Sequence, residues 1–309
     1  MLGYFGPAGT FTHQALLSLG AAEDFAPEVD DAKAYPSVSA ALAAVRSGEV
    51  SSAMVPIENS VEGGVSATLD ILGDPELVPL QIVAEVLVAV KFDLAVRTGT
   101  VLADIRRIIT HSHAAAQTRS WLLEVVPQAE VIEQGSTAAA AQLVADPDSP
   151  YQAAICAPVA TSLYGLEALA HDIADNEAGV TRFVLVAGRG SSPKPTGHDK
   201  TTFVAYLRAD HSGALLEILQ QLAVRGVNLC RIESRPTKTT LGSYCFSMDA
   251  EGHIADARMA EALMGLKRIC QDVVFLGSYP RADQVKPQIM IGSQDDDYRS
   301  ASNWLEKNR

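Results

Sequence analysis

Residues 188–197 read Gly188-Arg189-Gly190-Ser191-Ser192-Pro193-Lys194-Pro195-Thr196-Gly197. Three Gly, two Pro, two Ser and a Thr in ten positions cannot sustain a helix or a paired strand. The chain of 309 residues must therefore fold as a front part and a back part. In the back part the periodicity predicts strand 201–208, helix 214–225, strand 228–234, strand 244–248, helix 257–270 and strand 273–278. The first helix carries Leu215, Ile218, Leu219 and Leu222 on one face and stops at Gly226; the second carries Met259, Leu263 and Leu266. That order, β-α-β-β-α-β, is ferredoxin-like. The front part alternates strands (2–5, 53–57, 105–110, 131–132, 153–157, 183–187) with helices (10–19, 66–72, 112–125, 137–145, 159–166), and residues 81–96 are β-rich. Alternation of this kind predicts an α/β fold with mostly parallel sheets. Beyond Pro280 the acidic run Asp295-Asp296-Asp297 and the weak periodicity predict a loose tail.

Charge narrows the function. Lys and Arg number 24 and Asp and Glu 37, a net charge of −13, which argues against nucleic acid and anionic membrane as partners. The N-terminus has neither a basic nor an apolar leader region. The most apolar stretch, 81–96, is interrupted by Glu85, Lys91 and Asp93, so no membrane span is expected. Cys156, Cys230, Cys245 and Cys270 form no C-x-x-C pair and no zinc-like spacing with His. They read as reduced thiols in a cytoplasmic protein.

Four times in the front part a strand gives way to a small polar residue that opens a helix. The instances are Gly6-Pro7-Ala8-Gly9-Thr10, Asn59-Ser60 ahead of Ser66, Ser112-His113, and Gly135-Ser136-Thr137. Plain N-capping explains each one alone. Together, at the carboxyl ends of strands, they suit a ligand with two carboxylates. Gly6 to Gly9 matches no nucleotide loop. Arg182, opening the apolar run 183–187, is a surface residue or a bidentate carboxylate clamp. His111 and His113, spaced i, i+2, make no metal site by themselves, and no Ser-His-Asp order or G-x-S-x-G elbow is present.

These residues resemble those of the prephenate dehydratases. The motifs are Gly6-Pro7-Ala8-Gly9-Thr10-Phe11, Pro56-Ile57-Glu58-Asn59-Ser60, Ser112-His113 with Gln117, Ser136-Thr137-Ala138-Ala139 and Thr181-Arg182-Phe183. In the back part Gly213-Ala214-Leu215-Leu216 and Glu233-Ser234-Arg235-Pro236 resemble the paired motifs of that family's regulatory ACT domain. The resemblance spans about residues 2–280. It implies a two-lobed catalytic domain over 1–188, built like a type II periplasmic binding protein. Lobe A is expected at about 1–82 and 177–188 and lobe B at about 83–176, with crossings near 81–90 and 176–182. A linker at 189–200, an ACT domain at 201–280 and the tail 281–309 would follow. The family often has an Asn just before its Thr-Arg-Phe triplet; Gly179 and Val180 stand there, so Asn176 receives no role. Gly6-Pro7 begins almost at once, which leaves no room for an N-terminal chorismate mutase region and implies a monofunctional enzyme.

The implied activity is that of a lyase without metal or organic cofactor: decarboxylative dehydration of prephenate to phenylpyruvate in L-phenylalanine biosynthesis. Thr181, Arg182 and Glu58 are the implied catalytic residues. Thr10, Asn59, Ser60, Ser112, Gln117, Ser136, Thr137 and Phe183 are the implied substrate contacts. Gly213, Ala214, Leu215, Leu216, Asn228, Leu229, Glu233, Ser234, Arg235 and Pro236 are implied to border an allosteric L-phenylalanine site between subunits of a homodimer or homotetramer. Two rival readings share these residues: an arogenate dehydratase, and a non-catalytic amino-acid-sensing or solute-binding protein.

Overall fold

A computed structural model describes residues 1–20, 29–61, 63–176, 178–190, 192–237 and 243–309. Glu177, at the expected second crossing, and Ser191, in the expected linker, lie outside the described residues. The strands are β1 (Leu2–Phe5), β2 (Lys33–Tyr35), β3 (Ser52–Asn59), β4 (Gly63–Gly64), β5 (Leu80–Ala89), β6 (Asp93–Val96), β7 (Arg107–Thr110), β8 (Glu130–Glu133), β9 (Ala153–Cys156), β10 (Glu167–Ala170), β11 (Val180–Gly188), β12 (Asp199–Tyr206), β13 (Leu229–Pro236), β14 (Tyr244–Glu251) and β15 (Asp272–Pro280). The helices are α1 (Phe11–Gly20), α2 (Val38–Ser47), α3 (Ser66–Gly73), α4 (Ser112–Gln117), α5 (Arg119–Val125), α6 (Thr137–Ala145), α7 (Pro158–Leu163), α8 (Ala214–Ala223), α9 (Ala257–Ile269) and α10 (Asp295–Lys307).

Three sheets organise the described residues. One runs β2-β1-β3-β11-β5 with β4 on β3, the second β10-β6-β9-β7-β8, the third β13-β14-β12-β15. In the first, β1 pairs in parallel with β2 and β3, Gly3 facing Lys33 and Ala53. The second mixes parallel pairs (β7 with β8 and β9) and antiparallel ones (β6 with β9 and β10). The expected α/β class, with a ferredoxin-like back part, is thus the observed one. The third sheet is antiparallel, and α8 and α9 cover it through Ile218, Leu222, Met259, Ala262 and Leu266, all at most 2% exposed. Burying these side chains stabilises that half.

Packing divides the chain into a front unit, Met1–Val65 with Val86–Phe183, and a back unit, Ser66–Glu85 with Val184–Arg309. Composition alone gives no hint that Ser66–Glu85 groups with the back part. The reason is a set of contacts inside the back unit. Arg235 Nη2 donates to Asp70 Oδ1 at 2.6 Å, Tyr206 Oη donates to the Gly73 carbonyl at 2.8 Å, and Lys200 Nζ pairs with Glu85 at 2.9 Å. Gly277 is needed there: at φ +127°, a Cβ on it would stand 2.3 Å from the Ile82 carbonyl.

Three local expectations change. Helix 112–125 is two helices, because Thr118 turns its hydroxyl back onto the Ala114 carbonyl at 2.8 Å and leaves helical geometry (ψ 10°). Residues 20–52, which the periodicity leaves unassigned, contain β2 and α2, the latter capped by Ser37 and closed by Gly48 at φ +76°. The tail, expected to be loose, carries α10. Its three aspartates lie in the first turn, Lys307 in the last, and Gln294 with Asp297 forms a capping box. The acidic run is thus a helix start favoured by the dipole, although no α10 residue is buried.

Candidate active site

In the front unit the end of β3 meets the start of β11: Ser60 N–H donates to the Val180 carbonyl, and Val180 N–H donates to Ser60 Oγ, each at 2.9 Å. This pins Asn59 against Thr181. Asn59 Oδ1 accepts from Val61 N–H at 2.8 Å, which turns its amide nitrogen to Thr181 Oγ1 at 2.7 Å. Thr181 is therefore an acceptor from Asn59, and its own proton is directed elsewhere.

Thr181 and Asn59 line a cavity of about 300 Å³. Thr10, Gln117, Ser136, Thr137 and Phe183 line it too, so seven of the residues singled out from sequence meet there. Each helix start has a stated cause. Thr10 Oγ1 accepts from His13 N–H at 3.3 Å, and Ser136 Oγ accepts from Ala139 N–H at 3.1 Å. Phe5, Phe11, Val90 and Phe92 supply apolar wall, with Phe11 edge-on to Phe92 at 5.5 Å. Among the described residues, no Lys, Arg, Asp or Glu lines this cavity.

Four of the singled-out residues lie outside that lining: Glu58, Ser60, Ser112 and Arg182. Strand alternation accounts for two of them. Thr181 and Phe183 face the cavity, so Arg182 between them faces away; Glu58 precedes Asn59 in the same sense. The two turned-away side chains meet, Arg182 Nη1 to Glu58 Oε2 at 3.1 Å, with the Arg182 side chain 6% exposed. Ser112 is exposed because His111, not Ser112, is the N-cap: its Nδ1 accepts from His113 N–H at 3.2 Å.

His111 and His113 are the cavity's titratable side chains, their rings edge-on at 4.8 Å. Their place at the turn from β7 into α4, not their spacing from each other, is the sequence signal for this position. Among the described residues no cluster of His, Cys, Asp and Glu could hold a metal ion, and no helix is long and apolar enough to cross a membrane. Burial pushes the Cys156 thiol up to about 12 and the Cys230 and Cys270 thiols up to about 11, which removes them as thiolate nucleophiles.

The sequence model of the family "Prephenate dehydratase" matches residues 2–191. The prephenate dehydratase of Amycolatopsis methanolica is 45% identical over 305 residues, covering 98% of this chain and 96% of its own. The chain belongs to the prephenate dehydratase family. The crystal structure of prephenate dehydratase from Arthrobacter aurescens in complex with L-Phe superposes with TM-score 0.90 at 48% identity, covering 99% of this chain and 98% of that one. A third relative, GqqA, described as a novel type of quorum quenching acylase, has TM-score 0.76 at 30% identity over 90% of this chain and 97% of its own.

The two back-part stretches singled out from sequence lie at the start of α8 and along β13. Gly213, at φ +94°, turns the chain into α8; Ala214 is buried, while Leu215 and Leu216 are 37% and 58% exposed. Asn228 gives its carbonyl to Glu251 N–H at 2.9 Å and leads into Leu229, the first residue of edge strand β13. Along β13, Leu229, Glu233 and Arg235 alternate with exposed Ser234 and Pro236. Arg235 is committed on three sides, to Asp70, to Ser66 Oγ at 3.0 Å and to Glu233 at 3.2 Å.

Proposed function

We propose that this protein converts prephenate to phenylpyruvate on the route to L-phenylalanine. In the reaction the ring carboxylate leaves as carbon dioxide, and its bonding pair moves into the ring. The ring hydroxyl departs with an added proton as water, and the ring becomes aromatic. Aromatisation supplies the driving force, so the catalyst must orient the substrate and protonate the leaving oxygen. Thr181 takes the second task. With Asn59 donating to its oxygen, its hydroxyl proton is available to the leaving group. A threonine is too weak an acid to end up ionised, so water replaces the proton through Thr181. Gln117, Ser136, Thr137 and Thr10 hold the carboxylates. Arg182, paired with Glu58 behind the strand, positions Thr181.

The observation that carries this reading is the Asn59–Thr181 pair in a cavity that no Lys, Arg, Asp or Glu lines among the described residues. A guanidinium on the ring carboxylate would favour the ground state over a transition state that discharges it. The acylase activity of GqqA calls for an activated nucleophile, and Thr181 faces an amide donor, not a base. Phenylpyruvate release from prephenate, run beside phenylalanine release from arogenate, tests the assignment. Turnover of prephenate at least tenfold above arogenate supports it; turnover of arogenate alone makes the protein an arogenate dehydratase, and turnover of neither restores the sensor reading.

The same proposal assigns residues 1–188 to catalysis, 189–200 to a linker, 201–280 to an ACT domain and 281–309 to an appended tail, in a cytoplasmic homo-oligomer. L-Phenylalanine binds between two copies, against residues 213–216 of one and the Asn228-Leu229 and 233–236 stretches of the other, and inhibits. The place of β13 at the edge of its sheet among the described residues and the exposed Leu215 and Leu216 support a second copy there. Arg235 carries the signal, since its bonds to Asp70 and Ser66 join the effector stretch to α3.

A further inference from the structure

Arg258 opens α9 and is 2% exposed. Its Nη1 donates to the Gly226 carbonyl at 3.1 Å, but Nε and Nη2 have no hydrogen-bond partner among the described residues. Asp256 Oδ2 stands 4.0 Å from Nη2, too far for a hydrogen bond. A buried guanidinium whose one ion pair is this loose, and whose Nε and Nη2 lack a hydrogen bond, is costly and calls for an acceptor on that edge.

Arg258 lines a cavity of about 260 Å³ in the back unit, with Gly252, Asp256, Pro287, Ile289 and Asp295 among its walls. Gly252, at φ +121°, keeps the place open: a Cβ there would come within 2.9 Å of Asp256 Oδ2 and 3.0 Å of Arg258 Nη2. The carboxylates are half engaged. Asp256 Oδ2 accepts from His253 N–H at 2.9 Å and Asp295 Oδ1 from Ala257 N–H at 2.8 Å, which leaves one oxygen on each. Asp199 spends both oxygens on Thr196 and Gly197, and Asp296 pairs with Arg299.

A simple anion meets a guanidinium here but also too many carboxylates. A simple cation meets the carboxylates but leaves Arg258 unanswered. A zwitterion satisfies both. We propose that this cavity binds a free α-amino acid: its carboxylate on the Nε–Nη2 edge of Arg258, its ammonium on Asp256 and Asp295, its apolar side chain on Pro287 and Ile289. None of the residues assigned to L-phenylalanine recognition lines it. The ligand would join the tail to the ferredoxin-like sheet, because Ile289 and Asp295 come from the tail and Arg258 from α9.

Calorimetry on the full chain, with the L-phenylalanine site presaturated, tests this with L-leucine, 4-methylpentanoate and 3-methylbutylamine. L-Leucine should give a saturable isotherm of about one per chain. The two single-charge analogues should bind at least tenfold more weakly. Asp295→Asn keeps the bond to Ala257 and drops the charge, and should weaken L-leucine about tenfold. Arg258→Met should abolish it; should that variant not fold, Ile289→Asp at the exposed wall should weaken L-leucine by a similar tenfold or more. Equal affinity for 4-methylpentanoate and L-leucine, no saturable heat, or an isotherm unchanged in Asp295→Asn and Ile289→Asp would overturn the proposal.

Discussion

Arg182 in the front unit and Arg258 in the back unit are both buried, at 5% and 2% exposure, but they stand in opposite relations to their cavities. Arg182 lies behind its strand with Glu58, and the cavity in front of it is lined by hydroxyls, amides, aromatics and two histidines. Arg258 is in the wall of its cavity with two nitrogens unanswered. The difference follows from what each place has to do. A site that expels a carboxylate gains nothing by gripping it in the ground state. A site that only holds a ligand gains from every ground-state contact.

The largest expected effect breaks this comparison at its front half. Thr181→Val removes the hydroxyl and keeps the shape, at a position 9% exposed at the start of β11. The turnover number should fall by about 10²-fold or more with the fold intact, the usual scale for a positioned proton donor. Steady-state kinetics with a melting curve checks it; wild-type turnover would remove Thr181 from the mechanism.

Arg182→Gln sharpens the comparison. If Arg182 only positions Thr181, turnover should drop about tenfold and KM should hold. Stability should fall by about 1–2 kcal/mol, less than for a fully buried pair because Glu58 is 35% exposed. A KM raised about 100-fold at unchanged turnover would instead make Arg182 a direct carboxylate clamp.

Ser136→Ala acts at a smaller scale. Ser136 Oγ caps α6 through Ala139 N–H and also lines the cavity. The lost cap costs about 0.5–2 kcal/mol of stability. If Ser136 also holds a substrate carboxylate, KM should rise several-fold; a lower melting temperature with KM untouched would leave it a cap only.

How far the sequence reaches is visible in these same residues. The back part was legible because its two amphipathic helices and four short strands follow local rules, and so does the α/β alternation of the front. Thr10, Asn59, Ser136 and Thr181 were legible through their motifs. The facing of Arg182 is contained in strand alternation beside Thr181 and not in the motif. Arg258 is not legible: an arginine near a helix start reads as surface, and its burial beside the Gly226 carbonyl comes from tertiary packing that local rules do not contain. The tail helix is hidden for a related reason. Its three aspartates register as repulsive charge until the helix dipole behind them is considered.

His13 gives the smallest test and concerns a third cationic group, one kept neutral. Its ring stacks on Tyr4 at 5.0 Å, and its Nδ1 accepts from Gly9 N–H at 3.1 Å, in the turn that delivers Thr10 to the cavity. Burial lowers its pKa below the ordinary 6.5, because the charged ring is the one that loses water. The linkage has one sign. Above pH 6.5 neither folded nor unfolded chain holds the extra proton. Between 6.5 and the lowered folded value only the unfolded chain takes it up, so stability falls as the pH drops through that window. Protonation at Nδ1 also ends the bond from Gly9. His13→Gln does not titrate, and its amide oxygen can still accept from Gly9. Melting curves of the two proteins between pH 8 and pH 5 should therefore run parallel above 6.5. Below it the wild type should lose stability faster. Parallel curves throughout would mean that the folded imidazole titrates as it does in the unfolded chain, and that the Gly9 turn is held by its backbone alone.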